Sequence, residues 1–298
     1  MTKGKYKDLV DQETGEVTVV PIEYSPETYE FRSVKKSDYQ KKWKENSTNQ
    51  FTWSFQDSIR KMLSENKLTL TTLGAVLVLL PYLDNDSYLK KRTLEDKPLL
   101  TRRDLKEILK VSDTVLKRAI KSLKDCGVLE IEGSNKNQIF RINPLFHSRG
   151  GLPEDTVNVL RVQNRGIKAL YDSSNIKLDT IGFLYLLIPY CSYESVMLTK
   201  DPAQIADSDN VLSISELAEE LEMAERTVDK YIKTKFQYKF REGKYNVAVF
   251  MIVVNPSQKN KKMLAINPVI FRRNMKVTGE LGLSDLDDYF RASAKRVK

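Results

Sequence analysis

Histidine is almost absent from this sequence, with His147 as the one such residue among 298. Zinc sites and nicking centres that are built on several histidines are therefore excluded. The two cysteines, Cys126 and Cys191, lie far apart and have no metal-ligand spacing, which favours free thiols in a reducing compartment. We expect the protein to use neither a metal nor a cofactor.

Other signatures of enzymes and membrane proteins are also missing. No GxxxxGK[ST] loop, no Arg/His cluster of a tyrosine recombinase and no acidic set with the spacing of a metal nuclease is present. The start of the chain has no apolar stretch of a signal peptide, and the longest apolar runs, 75–80 and 181–190, are far shorter than the ~20 residues of a membrane span. The sequence thus predicts a non-enzymatic cytoplasmic protein that does not enter the membrane.

The charge balance points to an acidic partner. Lysine and arginine number 49 against 40 aspartates and glutamates, which gives a formal net charge of +9. Such an excess of positive charge favours a polyanion, although many basic proteins bind nothing acidic.

An internal duplication dominates the sequence. The matching pairs are LTLTTLGAVLVLLPYLD (68–84) with IKLDTIGFLYLLIPYCS (176–192), TRRDLKEILKVSDTVLKRAIK (101–121) with SISELAEELEMAERTVDKYIK (213–233), and INP at 142–144 with INP at 266–268. Their offsets are 108, 112 and 124, so the matches keep their order and only the gaps between them grow. This pattern indicates one module that occurs twice.

Each copy has the pattern of three helices followed by a β-hairpin. In the first copy, residues 71–80 predict a buried helix that closes at Pro81. Thr101 with Asp104 has the spacing of a capping box, and Ser112 can cap the next helix. That helix carries an inward stripe at Leu116, Ala119, Ile120 and Leu123, and two β-rich runs follow it.

The second copy repeats this order, with Ser213 and Glu216 as the capping box and Val228 and Ile232 facing inward. Its 12 extra residues are expected to lengthen the hairpin, and Pro ends the last strand of each copy at the INP word. A stretch from Asp155 is predicted to be a helix that joins the copies, and the stretch from Trp53 is its counterpart.

The predicted fold is therefore mainly α with small β-hairpin wings (α+β): two tandem winged helix-turn-helix domains from an internal duplication. The expected domains are an N-terminal arm (1–50), a first winged-helix domain (51–150), a second (151–276) and a C-terminal helix or tail (277–298).

In such domains the third helix fits the major groove of DNA, and the wing reaches the backbone or the minor groove. The candidate DNA-binding residues are Thr114, Lys117, Arg118, Lys121, Lys136, Arg226, Lys230, Lys233, Lys259, Lys261, Lys262, Arg272 and Arg273. Arg149, which also follows an INP turn, is a further phosphate candidate. Glu225 and Asp229 make the second helix less purely electrostatic than the first. Because the two reading helices differ, we expect an asymmetric site of roughly 20 base pairs per chain.

Two other interpretations fit the same residues. A Lys/Arg face on a helix is usually only a solvated face, and some winged helices bind proteins rather than DNA. A non-enzymatic scaffold or partition protein, in which the basic faces meet acidic protein, therefore remains an alternative.

The blocks LGAVLVLLPY, IGFLYLLIPY and the INP endings resemble helix-turn-helix replication and regulatory proteins from plasmids and phages of Gram-positive bacteria. With two such modules in tandem, residues ~55–275 resemble the replication initiators of theta-replicating plasmids. The resemblance implies a protein that binds repeated origin sites on double-stranded DNA, recruits host replication proteins and forms a homodimer through one domain. A transcriptional regulator or phage repressor is the alternative that shares this chemistry.

Overall fold

The computed structural model describes residues 6–10, 17–21, 51–91, 98–134, 137–150, 158–173, 176–192, 197–204, 209–240, 243–254, 261–272, 290 and 293–296. Two units follow one another along the chain, residues 1–49 and 50–298. In the first unit, β1 (Tyr6–Val10) and β2 (Val17–Pro21) pair as an antiparallel hairpin with Val10 opposite Val17. Both repeats lie in the second unit.

The first repeat begins with a strand. Its elements are β3 (Phe51–Phe55), α1 (Gln56–Glu65), α2 (Leu70–Leu79), α3 (Arg102–Leu109), α4 (Asp113–Asp125), β4 (Leu129–Glu132), β5 (Ile139–Ile142) and β6 (His147–Ser148). The capping box is confirmed, because the Asp104 amide donates to Thr101 Oγ1 and the Thr101 amide donates to the Asp104 carboxylate. The predicted stripe faces the core, with Leu116, Ala119 and Leu123 buried.

The second repeat follows the same order with one addition. Its elements are β7 (Val159–Gln163), α5 (Asn164–Asp172), α6 (Leu178–Leu187), α7 (Ile214–Glu220), α8 (Glu225–Ile232), β8 (Lys235–Phe240), β9 (Gly243–Ala248), β10 (Phe250–Val254), β11 (Lys262–Ile266) and β12 (Phe271–Arg272); β13 (Lys295–Arg296) lies near the end of the chain. The capping box of Ser213 and Glu216 is confirmed.

Strands of the two repeats meet in one antiparallel sheet of order β12-β7-β3-β6. At its centre Trp53 lies opposite Arg161, and these residues occupy the same position of the repeat at an offset of 108. Because equivalent residues of the two repeats face each other at the centre of this antiparallel pair, an approximate two-fold axis relates the repeats. The helices predicted from Trp53 and from Asp155 are therefore wrong in their first parts, because β3 and β7 pair across a sequence separation that local periodicity does not reveal.

The same axis passes through the crossing of α2 and α6. A Cβ on Gly74 would lie 2.0 Å from the Leu178 carbonyl oxygen, and a Cβ on Gly182 would lie 1.8 Å from that of Leu70. Gly74 and Gly182 are equivalent, and so are Leu70 and Leu178. Both helices are apolar on nearly all sides and almost completely buried. Each helix packs on the face of the other that would otherwise be exposed.

One hydrophobic core runs through both repeats, from Ile59 in α1 to Phe271 in β12. The prediction of a mainly α fold is wrong, because the described residues form thirteen strands in small antiparallel sheets beside eight α-helices. The assignment as two tandem winged-helix domains is not confirmed either. The apolar helices α2 and α6 pack on each other, so the repeats share their interior instead of closing two separate cores.

The insertion in the second repeat forms a hairpin of its own. The Asn143 amide donates to the Val128 carbonyl and the Asn267 amide to the Val249 carbonyl, which places Val249 in the position of Val128 at an offset of 121. Most of the extra residues therefore precede β10 and form β8 and β9, which pair antiparallel. The prediction that all 12 extra residues lengthen the last hairpin is wrong, because most of them form the separate β8–β9 hairpin.

The asparagine of each INP segment makes hydrogen bonds that stabilise its hairpin. The Asn143 side-chain amide donates to the Gly127 carbonyl, and its oxygen accepts from the Leu145 amide. The Asn267 side chain makes the equivalent bonds to the Ala248 carbonyl and the Val269 amide. In each repeat the asparagine thus links, by hydrogen bonds, the segment after the last strand of the hairpin to the segment before its first strand.

Candidate nucleic-acid interface

The helices α3 and α4 form a pair with a three-residue break. Lys110 ends α3 in the left-handed region at φ 51°, and the Ser112 hydroxyl accepts from the Val115 amide at the start of α4. The buried stripe of α4 fixes which residues point outward. The predicted contact residues Thr114, Lys117, Arg118 and Lys121 all lie on the exposed side.

The charges on this exposed side are free of partners within the described residues. Lys117, Arg118 and Lys121 make no ion pair there, whereas neighbouring cations do: Lys106 Nζ lies 3.0 Å from Asp113 and Arg103 Nε 3.0 Å from Glu107. Residues 101–121 contain seven basic and three acidic residues, a formal charge of +4. The α3–α4 surface is therefore positively charged.

The helices α7 and α8 form the equivalent pair but have the opposite charge. Arg226, Lys230 and Lys233 lie on the exposed side of α8 as predicted, while Asp229 is half-buried. Residues 213–233 contain six acidic and three basic residues, a formal charge of −3. Glu225 and Asp229 alone did not indicate this reversal; the count over both helices would have revealed it.

Glu216 forms ion pairs with two lysines. Its carboxylate lies 2.9 Å from Lys200 Nζ and 3.5 Å from Lys261 Nζ. Burial would raise the pKa of Glu216, but hydrogen bonds from the Ser213 amide, Lys200 and the Ser213 hydroxyl, together with the charge of Lys261, lower that pKa to about 2. The Lys261 side chain is only 17% exposed, so it is held against α7 instead of projecting as a hairpin-tip contact.

The remaining predicted contacts are scattered. Lys262 is exposed at the start of β11, and Arg272 is exposed on β12 opposite Arg161. Arg149 is buried, and its Nη1 donates to the Leu83 carbonyl at 2.6 Å. It is therefore a structural residue of the interior and not an exposed phosphate contact. Lys136, Lys259 and Arg273 lie outside the described residues. The structure thus brings together the residues of α4 and, separately, those of α8.

The single histidine is enclosed. His147 Nδ1 shares a hydrogen bond with Ser54 Oγ at 2.8 Å, and its Nε2 shares one with Tyr185 Oη at 2.9 Å. All three residues are fully buried, and burial lowers the pKa of His147 to about 3. The trio has the composition of a nucleophile with its base, but no substrate can reach it, so we assign it to the core.

The described residues contain neither a metal-binding group nor a membrane-spanning helix. Among them, no three histidine, cysteine, aspartate or glutamate residues are grouped so as to hold a metal ion. None of their helices combines the length and the apolar composition needed to cross a lipid bilayer. Comparison of the chain with protein-family models, with curated proteins and with solved structures found no match.

Proposed function

We propose that the protein binds double-stranded DNA sequence-specifically and that α4 is its reading helix. The observation that carries this proposal is the row of Lys117, Arg118 and Lys121 on the outer face of α4, exposed and without ion-pair partners among the described residues. The inner face of the same helix is anchored in the core, so the row is held in place. A helix presented in this way fits the major groove of B-DNA.

The residue types suggest their roles. Arg118 lies in the middle of the row and can donate two hydrogen bonds to guanine O6 and N7. Lys117 and Lys121 flank it and would hold phosphates, which positions the helix without carrying sequence information. Thr114, one turn before Arg118, can contact a base edge or a thymine methyl group.

The second repeat would read DNA differently. Arg226, Lys230 and Lys233 can contact bases and phosphates, while Asp229 and Glu225 can accept from a cytosine amino group but repel phosphate. Because an approximate two-fold axis relates the repeats, a duplex that contacts both α4 and α8 would present its two half-sites in opposite orientations. The half-sites would still differ in sequence, since the two helices differ.

The biological role that we propose is initiation of plasmid or phage replication in the cytoplasm of a bacterium. Its support is the resemblance of the LGAVLVLLPY, IGFLYLLIPY and INP blocks to such proteins. A footprint across the protein's own replicon separates this role from that of a transcriptional regulator. Clustered repeated sites beside distorted AT-rich DNA support the initiator, and isolated sites over promoters support the regulator.

DNA binding itself is tested by selection of duplexes from a random pool, followed by affinity measurements on the selected sequence. The variant Lys117→Ala/Arg118→Ala/Lys121→Ala should lose the sequence preference and most of the affinity. The matched control Lys61→Ala/Lys67→Ala/Lys177→Ala removes three exposed lysines elsewhere and should keep the preference. A wild-type protein that selects no sequence, or an α4 variant that selects the same sequence equally well, would refute the proposal.

A further inference from the structure

The inserted hairpin of the second repeat presents a flat basic surface that has no counterpart in the first. Side chains of directly opposite residues lie on the same face of a sheet. The register places Gln237 opposite Asn246 and Lys239 opposite Lys244, and Lys295 of β13 pairs with Asn246 on the other side. We call this surface the lysine face; its members, all exposed, are Lys235, Gln237, Lys239, Lys244, Asn246 and Lys295.

The lysine face is rigidly supported. On the reverse side Phe236 and Val247 are buried in the main core, at 2% and 1% exposure. The free edge of β8 is covered, because the Gln237 amide donates to Ser173 Oγ at 3.2 Å and Arg165 Nη2 donates to the Lys239 carbonyl at 2.7 Å. The edge is therefore closed to an added strand, and a partner must use the side chains.

The charges of the lysine face are unbalanced. Lys239 and Lys244 are directly opposite each other, an arrangement of like charges that destabilises a sheet. None of its four lysines forms an ion pair within the described part of the chain. A groove runs between this face and the end of α5, and Asp172 is the one acidic residue among the described residues that line it. A bound anion would relieve the repulsion.

The straight row of polar side chains on β8 favours a polymer over a single small anion. Residues at i and i+2 of a strand are about 6.8 Å apart, so Lys235, Gln237 and Lys239 form a straight row about 14 Å long. The face exposes no large apolar side chain that could enter a membrane interface. Binding sites for proteins are instead rich in aromatic residues and poor in lysine. A nucleic-acid backbone fits each of these features.

We propose that the lysine face binds the phosphate backbone of duplex DNA that flanks the sequence read by α4. This inference rests on the proposed function and adds a contact that carries no sequence information. Lysines supply the charge, and the Gln237 and Asn246 amides donate to phosphate oxygens. The second repeat thereby gains the positive surface that its α7–α8 pair lacks.

The test compares the variant Lys235→Gln/Lys239→Gln/Lys244→Gln with the wild type on the selected duplex, with long and with short flanks. Each phosphate contact contributes about 0.9 to the slope of log affinity against log salt. We expect the slope on the long duplex to decrease by about 2 to 3, with the selected sequence unchanged and little difference on the short duplex. The control Lys61→Gln/Lys67→Gln/Lys177→Gln should retain the wild-type slope.

The outcomes separate this inference from the function on which it rests. A lysine-face variant with the wild-type slope on the long duplex overturns the inference and leaves DNA reading by α4 intact. A wild-type protein without affinity for any duplex overturns both. The melting temperature monitors the fold, and removal of the Lys239–Lys244 repulsion should leave it unchanged or slightly raised.

Discussion

Arg161 lies opposite Trp53 at the centre of the β3–β7 pair, with its guanidinium carbon 4.7 Å from the centre of the Trp53 ring. The two residues hold the same position of the repeat, so a cation and an aromatic ring share the two-fold axis. Two arginines at this position would repel each other. Thr71 and Asp179, also equivalent, are joined by a hydrogen bond. The repeats have therefore diverged into complementary partners at their interface.

The exposed surfaces of the two repeats have diverged as well. The α3–α4 pair has a formal charge of +4 and the α7–α8 pair one of −3. Only the second repeat carries the inserted hairpin with its lysine face. A duplication that keeps its core and alters its surfaces thus gives one molecule two helix pairs of opposite charge.

The glycines at the α2–α6 crossing provide a stability prediction. Alanine at an exposed helical glycine stabilises by about 0.5–1 kcal/mol, but at Gly74 or Gly182 the new Cβ would overlap a carbonyl oxygen of the facing helix. We expect Gly74→Ala and Gly182→Ala each to lower the free energy of unfolding by about 1–3 kcal/mol or more, as measured by urea denaturation. Ser64→Ala, on the exposed side of α1, is the control and should cost little. Unchanged stability of both glycine variants would contradict the close crossing.

The asparagines of the INP words provide a second prediction. Removing either side chain leaves a hairpin carbonyl and a turn amide without their partners, which costs about 1–3 kcal/mol. Asn267 is 2% exposed and Asn143 is half-buried, so Asn267→Ala should be the more destabilising in thermal unfolding. The exposed Asn85→Ala serves as the control. Equal, negligible losses at all three positions would show that these bonds do not hold the hairpins.

The buried histidine provides a prediction about pH. Because the pKa of His147 is about 3 in the folded protein and 6.5 is its ordinary value, the unfolded chain takes up the proton first. Stability should fall as pH drops from 6.5 towards 3, by at most about 1.4 kcal/mol per unit from this residue. The variant Ser54→Val/His147→Phe/Tyr185→Leu copies the equivalent Val162, Phe271 and Leu77 of the other repeat. Its unfolding free energy should depend less steeply on pH in this window than that of the wild type; parallel curves would exclude His147 as the cause.

Local signals in the sequence predicted local structure well. Thr101 with Asp104 and Ser213 with Glu216 marked helix starts, since a capping box is complete within four residues. The strand around Trp53 was missed, because its partner lies 108 residues away and the stretch reads equally well as the start of a helix. The lysine face was not predicted either, because the 12 extra residues were expected only to lengthen the last hairpin.

The acidic charges around α7 give a final prediction about DNA affinity. If the duplex contacts α8, the exposed carboxylates of Glu219 and Glu222 lie near phosphates and oppose binding. The variant Glu219→Gln/Glu222→Gln should then bind the selected duplex about 2- to 30-fold more tightly at low salt, if each exposed charge contributes about 0.2–1 kcal/mol. The gain should vanish as salt is raised, because exposed charges are screened. Glu65→Gln, remote from α8 in the sequence and exposed on α1, is the control for the loss of one exposed carboxylate. An affinity that stays constant in the double variant would mean that α7 and α8 lie away from the duplex, and that α4 reads it alone.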